Sequence, residues 1–272
     1  MPIGASVMKK KLLITVKTYP YPHPQYQEIV CTAAVDEEGK WYRLYPIPYH
    51  NLPYGKQYKK WDWIEADIEK NPDDFRPETF HLTNIDNEIK RIGHIDSKSW
   101  DERKKYVLKK VYTNMSDLIN DAYDENKIIS LAVFKPTKAT VYKMKDNLEW
   151  GTDQLEKLKQ SDIFLDKRHN PIKKVPFCFG YNIVDDVRKK SKLRILDWEI
   201  GMLYWKALEK ANGNIDTACE KVKAKLKYFS ENIDLYLFLG TMLKSHKMNF
   251  QNPFSIVGLF YPPIDDQLDI FQ

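Results

Sequence analysis

Aromatic residues and prolines crowd the segment between Tyr19 and Trp63, and this limits what the chain can fold into. Proline removes a backbone donor and breaks helices, so the segment favours short strands and turns. Aromatic side chains are common in strands and fill small cores. The segment therefore predicts a small barrel or a strongly bent sheet. It contains eleven aromatic residues, namely Tyr19, Tyr21, Tyr26, Trp41, Tyr42, Tyr45, Tyr49, Tyr54, Tyr58, Trp61 and Trp63.

Short apolar segments surround these prolines and have the lengths of strands. Glu37-Glu38-Gly39 separates two of them and is a hairpin signal. Several short strands without a long helix between them predict a five-stranded barrel of the oligonucleotide-binding (OB) kind. The predicted strands are 10–18, 28–36, 40–47, 62–69, 78–83 and 88–95.

After Ser97, helical and strand-like patterns alternate along the chain. We therefore predict an α+β protein, with an N-terminal OB-like β-barrel followed by a mixed α/β C-terminal part. The predicted domains are an OB-like barrel at 9–96, a helical connector with a second β segment at 97–145, an α+β domain at 146–262, and a flexible acidic tail at 263–272.

Positive charge is clustered rather than spread evenly. The 272-residue chain has a net charge of only +5, but residues 97–111 and 186–194 are strongly basic, whereas the last eleven residues carry three aspartates and no basic group. Clustered charge is the electrostatic pattern of nucleic-acid-binding proteins. The residues expected to contribute to DNA or RNA binding in this way are Lys104, Lys105, Lys109, Arg188, Lys189 and Lys190.

Several classes of protein do not fit the sequence. It contains no apolar run long enough for a membrane helix and no signal-peptide pattern, so a cytoplasmic protein without membrane contact is expected. Its three cysteines are widely spaced and predict no disulfide framework. The histidines do not cluster, and phosphate-binding loops and nucleophile elbows are absent, so no metal or cofactor is expected.

Alternation along 41–49 places Trp41, Arg43 and Tyr45 on one face of a strand. An arginine between two aromatic rings can stack on bases and neutralise phosphate. We therefore expect these three residues to bind nucleic acid. In the alternative interpretation, the aromatic side chains fill the core of the barrel.

The C-terminus contains Gln267-Leu268-Asp269-Ile270-Phe271, which resembles the short motif by which bacterial DNA polymerases and repair proteins bind the sliding clamp. The family pattern has leucine where this chain has Ile270. Gln267 would form hydrogen bonds at the rim of a pocket, and Leu268, Ile270 and Phe271 would fill a hydrophobic groove. Alternatively, Leu268 and Phe271 pack on the protein's own core.

The segments 29–49, 61–69 and 129–136, together with Arg76-Pro77-Glu78, resemble an uncharacterised bacterial family with a dual OB-containing domain. The similarity covers about the first half of the chain. The segments 197–201 and 256–263 are similar to the same proteins. The resemblance implies a nucleic-acid-binding β fold and no particular reaction.

Asp197 and Glu199 are the candidates for catalysis, because two carboxylates after a strand can hold a divalent metal in a nuclease-like site. The favoured alternative is that Asp197 caps the following helix and that Glu199 lies in its first turn. Enzymatic activity is therefore left open.

Three functional hypotheses follow. The first is a nucleic-acid-binding protein recruited to DNA replication or repair sites by its clamp-binding peptide. The second is a metal-dependent enzyme acting on nucleic acid. The third is a module of a bacterial defence system that senses a nucleotide or modified base. A deep pocket lined by aromatic residues, rather than an open groove, would favour this third hypothesis.

Overall fold

The N-terminal part is a closed barrel of five strands. The computed structural model describes residues 7–83, 89–146, 150–152, 156 and 173–264. Two 3₁₀ turns at Tyr49–Asn51 and Tyr54–Lys56 lead from the third barrel strand to the fourth. The barrel strands are β1 (Met8–Lys17), β3 (Gln27–Val35), β4 (Trp41–Ile47), β5 (Asp62–Lys70) and β6 (Thr79–Leu82), with β2 (Tyr21–His23) paired to β3 and β7 (Lys90–His94) paired to β5.

The order of pairing identifies the type of barrel. The strands follow one another as β1, β3, β4, β6 and β5, and β5 pairs with β1 to close the ring. Only the β4–β6 pair is parallel among these five strands. Numbered along the chain, the order is 1-2-3-5-4-1, which is the Greek-key order of an OB barrel. The predicted OB-like barrel is thus confirmed.

Barrel strands are buried on both faces, which explains why residues 12–16 are all apolar except Thr15. Leu12 and Ile14 point into the barrel, where they pack with Tyr42, Leu44 and other side chains. On the opposite face, Leu13, Val16 and Trp63 belong to a second core, which the C-terminal part (residues 111–264) completes with Val133, Phe238 and Phe260. The two parts therefore pack through a common apolar interface.

The C-terminal part contains two antiparallel-rich sheets and helices, as the predicted α+β class requires. One sheet has the order β14-β13-β9-β8 and the other β10-β11-β12, and a bridge between Ile195 and Ile256 connects them. Helix α1 (Trp100–Val107) connects the barrel to the C-terminal part. The helices and strands of the C-terminal part are β8 (Val111–Tyr112), α2 (Met115–Tyr123), β9 (Leu131–Phe134), β10 (Lys138–Lys145), β11 (Phe177–Val184), β12 (Lys190–Arg194), α3 (Trp198–Lys210), α4 (Ile215–Asn232), β13 (Tyr236–Thr241), α5 (Leu243–Lys247) and β14 (Phe254–Phe260).

Side-chain caps fix where three helices begin. Asn114 accepts hydrogen bonds from the backbone at the start of α2, Asp197 does so at α3, and Asn214 at α4. The apolar faces of α3 and α4 then pack against the sheets around Tyr204 and Val222. In the described part of the chain, no helix combines the length and apolarity needed to cross a membrane.

Candidate functional site

A cavity of about 680 Å³ lies between the barrel and the C-terminal part. Its floor is the outer face of β3 and β4, which contributes Ile29, Cys31, Ala33, Arg43 and Tyr45. These are the second and third strands of the barrel. In OB barrels, this face and the neighbouring loops bind oligonucleotides and oligosaccharides. In this chain the C-terminal part covers the face, so that a groove becomes a cavity.

The walls of the cavity are mainly aromatic and aliphatic. Tyr19 belongs to the connection between the first two barrel strands, and Phe177 and Phe179 belong to β11. Ile200 and Gly201 come from the first turn of α3. A largely apolar cavity with few polar groups is the usual form of a small-ligand site.

Tyr19 is fixed in the wall by two hydrogen bonds. Its hydroxyl donates to the carbonyl of Lys173 at 2.7 Å and accepts from Nε1 of Trp205 at 2.7 Å. The ring packs on Gly201, where an added Cβ would lie 2.2 Å from Tyr19 Cδ2. Burial raises the pKa of Tyr19 to about 12, so its hydroxyl stays neutral. This wall is therefore pre-formed.

Two aromatic rings border the solvent-exposed side of the cavity. Tyr21 is 46 % exposed and meets Trp150 edge to face, with 5.6 Å between the ring centroids. Lys174 lies 5.9 Å from the Trp150 ring and pairs with Asp146 at 3.2 Å. Arg194, at the end of β12, is exposed on the same lining. Two of the three cations of the lining, Lys174 and Arg194, thus lie on its outer side.

Arg43 lies at the inner end and is only 3 % exposed. Its guanidinium donates to Thr79 Oγ1 at 3.1 Å, to Ser130 Oγ at 2.8 Å and to the Ser130 carbonyl at 3.0 Å. The Glu78 carboxylate accepts from the backbone and hydroxyl of the same serine. Burial, followed by the neighbouring Arg76, lowers the pKa of Arg43. The arginine is thus engaged inside the protein.

Two neutral polar groups remain on the floor. Tyr45 is half-buried, and its hydroxyl makes no hydrogen bond to any residue that the structure describes. Burial raises the pKa of the Tyr45 phenol and of the Cys31 thiol, so both groups stay protonated. Each can donate to, or accept from, the polar edge of a ligand.

The structure separates the three predicted stacking residues. Trp41, Arg43 and Tyr45 share one face of β4, as the alternation predicts, but the C-terminal part covers that face. Trp41 packs edge to face on Phe238, with 5.5 Å between the centroids. Only Arg43 and Tyr45 line the cavity. Their contact with a ligand stays a prediction.

The six basic residues predicted to bind nucleic acid lie outside the lining of the cavity, although Arg194, at the end of the second basic cluster, belongs to that lining. On α1, Lys104 pairs with Asp101 at 3.5 Å, and Lys105 is exposed. The side chain of Lys109, just after that helix, covers Gly39. Arg188, Lys189 and Lys190 are exposed at the β11–β12 turn.

The two candidate catalytic carboxylates have internal partners. Asp197 caps α3 through the amide of Glu199 at 2.8 Å and accepts from the amide of Leu259 at 3.2 Å. Lys60 reaches Asp197 at 3.4 Å and Glu199 at 3.0 Å. Within the described ranges, no group of three His, Cys, Asp or Glu side chains could hold a metal ion.

The predicted clamp-binding residues Gln267, Leu268, Asp269, Ile270 and Phe271 lie outside the described residues. The cavity residues Cys31, Tyr19 and Phe177 were not predicted as site residues. Tyr19 was visible only as one aromatic residue of the proline-rich segment, and Phe177 lies more than a hundred residues further along the chain.

Comparisons with known proteins show the family of this chain. Residues 8–109 match the model named Domain of unknown function (DUF8758), and residues 111–272 match Domain of unknown function (DUF8757). No curated protein matches the chain. The crystal structure of the tetrameric p202 HIN2 is 9 % identical and aligns over 96 % of this chain and 97 % of its own, but its TM-score of 0.32 does not establish a shared fold. Because the second model covers more than half of the residues, the chain belongs to the DUF8757 family.

Proposed function

We propose that this protein binds a nucleobase in the cavity between the barrel and the C-terminal part. The observation that carries the proposal is the position of the cavity on the outer face of β3 and β4, which is the ligand face of an OB barrel. Its volume of about 680 Å³ is in the usual range for small-molecule sites. Stacking of a base on an aromatic side chain contributes roughly 1–3 kcal/mol.

The polar groups favour a planar, neutral ring at the inner end. Arg43 is bonded to Thr79 and Ser130, so it lacks the freedom of a surface arginine to follow a phosphate. The Tyr45 hydroxyl and the Cys31 thiol can instead bond to the edge of a base. The sugar and phosphate of a nucleotide would then lie toward Arg194, on the exposed side of the lining.

Coverage of the barrel face favours entry of one base over passage of a strand through an open groove. Trp41 is covered by Phe238, and Arg43 is 3 % exposed. These contacts support the sensing of a nucleotide or of an unpaired base. Proteins that bind an unpaired base outside its stack recognise it by hydrogen bonds to its edge and by stacking of the base in a pocket.

The test is the equilibrium binding of nucleosides and nucleotides to the protein. Binding is measured by calorimetry and by tryptophan fluorescence, since Trp150 lines the cavity. Tyr45→Ala is expected to weaken binding about 10-fold or more, because the contact of the ring and the hydrogen bond of the hydroxyl are both lost. Tyr45→Phe keeps the ring and removes only the hydroxyl, so we expect a smaller loss of about 2- to 10-fold. Tyr54→Ala is the control, since Tyr54 is 92 % exposed and lies outside the lining. Absence of saturable binding to the folded wild type would contradict the proposal.

We further propose that the C-terminal peptide recruits the protein to replicating or repaired DNA through the bacterial sliding clamp. The motif 267–271 supports this, together with the exposed Pro263 and Ile264 that precede it. Residues that anchor a peptide in a groove often contribute 2 kcal/mol or more each.

Capture of the full-length chain by purified clamp tests the recruitment proposal. A Leu268→Ala/Phe271→Ala variant is expected to bind at least roughly 30-fold more weakly, the equivalent of about 2 kcal/mol. Asp265→Ala, outside the motif, serves as the matched control. Equal capture of the double variant and wild type is the result that would exclude this role of the peptide.

A further inference from the structure

The sheet formed by β10, β11 and β12 has an outer face that is rich in basic residues. Lys138 pairs with Val184, which in turn pairs with Lys190, so these residues lie on the same face across the three strands. Alternation then brings the following side chains to that face, named here the basic sheet face: Lys138, Thr140, Tyr142 and Met144 of β10, Cys178, Gly180, Asn182 and Val184 of β11, and Lys190, Lys192 and Arg194 of β12.

The positive charge of the basic sheet face is not neutralised by the described residues. The face carries four cations, Lys138, Lys190, Lys192 and Arg194, and all four are exposed. None of its side chains is acidic, and within the described ranges no carboxylate pairs with these cations. Other lysines do find partners, for example Lys135 with Asp234. Unpaired cations in a row are suited to phosphate.

An aromatic ring lies at the centre of these cations. Tyr142 packs across Gly180, where an added Cβ would lie 2.5 Å from Tyr142 Cζ. The Lys192 ammonium is 4.5 Å from the centroid of the same ring. Cations beside an aromatic side chain on a sheet are the combination that single-stranded nucleic acids use for backbone contact and stacking.

The face is continuous with the cavity. Arg194 and Cys178 belong to both, since each lies on the basic sheet face and lines the cavity. Along β12, side chains on one face repeat every ~6.7 Å, so Lys190, Lys192 and Arg194 form a row that leads toward the cavity. A polymer following this row would arrive at the side of the cavity where Arg194 is exposed.

We propose that a single strand of nucleic acid lies along the basic sheet face and inserts one base into the cavity. This inference rests on the proposed function, and it identifies the ligand as a polynucleotide. A single strand is favoured over a duplex because the inserted base has to be unpaired. The strand's phosphates contact Lys138, Lys190, Lys192 and Arg194.

The experiment measures binding of fluorescently labelled single-stranded DNA and RNA by anisotropy over a range of salt concentrations. The variant Lys190→Gln/Lys192→Gln removes two cations from the row and leaves the residues of the cavity lining in place. We expect at least a roughly 10-fold loss of affinity at low salt and a shallower salt dependence, smaller by about 1.4 in the logarithmic slope. Lys206→Gln/Lys221→Gln, on exposed positions of α3 and α4, is the charge-matched control and should resemble the wild type.

Separate measurements distinguish the two proposals. Nucleoside binding is expected to be unchanged in Lys190→Gln/Lys192→Gln, and thermal unfolding checks that the variant is folded. If nucleosides bind but the double variant keeps full affinity for single strands, the strand path is overturned while the nucleobase site stands. If nucleosides do not bind to wild type but the double variant loses affinity for strands, the cavity proposal fails instead. A clear preference for duplex over single strand would also overturn the inference.

Discussion

Replacing Lys60 with methionine is expected to lower the free energy of unfolding by about 3–5 kcal/mol. Its side chain is 10 % exposed and lies between Asp197 at 3.4 Å, Glu199 at 3.0 Å and the carbonyl of Leu259 at 3.3 Å. Asp197 is only 4 % exposed. Without Lys60, this carboxylate would be a buried charge without a compensating cation, and the barrel would lose a connection to both α3 and β14.

Chemical denaturation of wild type and variant measures the effect, with Lys59→Met as the control. Lys59 is the adjacent lysine and is exposed, so its replacement should change stability by less than about 0.5 kcal/mol. The deficit of Lys60→Met should also be smaller at pH 5 than at pH 8. Burial raises the pKa of Asp197, so at low pH the folded variant can bind a proton there and avoid the uncompensated charge. Equal stability of the two lysine variants would show that the buried pair is not needed.

A glycine in the basic sheet face gives the second large effect. Gly180→Ala is expected to destabilise the protein by about 3 kcal/mol, at the upper end for overpacking. The new Cβ would lie 2.3 Å from the carbonyl oxygen of Leu193 and 2.5 Å from Tyr142. Because the first of these is a backbone atom of the paired strand, the β11–β12 pairing has to shift. We expect the same variant to bind single strands more weakly, since Tyr142 is displaced.

Gly55→Ala is the matched control for this substitution. A Cβ at Gly55 would meet no atom within 4 Å, so the change should be nearly neutral. Thermal unfolding compares the two, and a drop in melting temperature on the order of 10 °C is expected for Gly180→Ala alone. A Gly180→Ala protein as stable as wild type would mean that the sheet accommodates the methyl group at little cost.

The barrel could be predicted because each of its longer strands has a recognisable pattern in a short stretch of sequence. Alternation placed a strand at 62–69, and the structure has β5 at Asp62–Lys70. The spacing of apolar residues along 198–212 predicts a helix, and α3 begins directly after its cap Asp197 and ends at Lys210. The short elements β2, β8 and α5 were not predicted, since they give too little periodic signal.

The candidate site could be predicted only in part. Alternation correctly placed Arg43 and Tyr45 on one face, but it could not show that this face is covered. The residues that cover it or bond to it come from distant parts of the chain, such as Ser130 and Phe238. Cavities between two parts depend on such long-range packing, for which a single sequence has no local pattern.

The shared interface also has a consequence for biosynthesis. The outer faces of the barrel strands, including Leu13 and Val16, pack in one core with Phe238, Val257 and Phe260 of β13 and β14, which are the last two strands in the described part of the chain. At ~5–20 residues per second, translation needs roughly 8–30 s to proceed from the end of the barrel to these strands. Throughout this interval the apolar outer face of the ribosome-bound nascent barrel is exposed to solvent. Chaperone association during synthesis should therefore peak before, and end with, the emergence of residue 260.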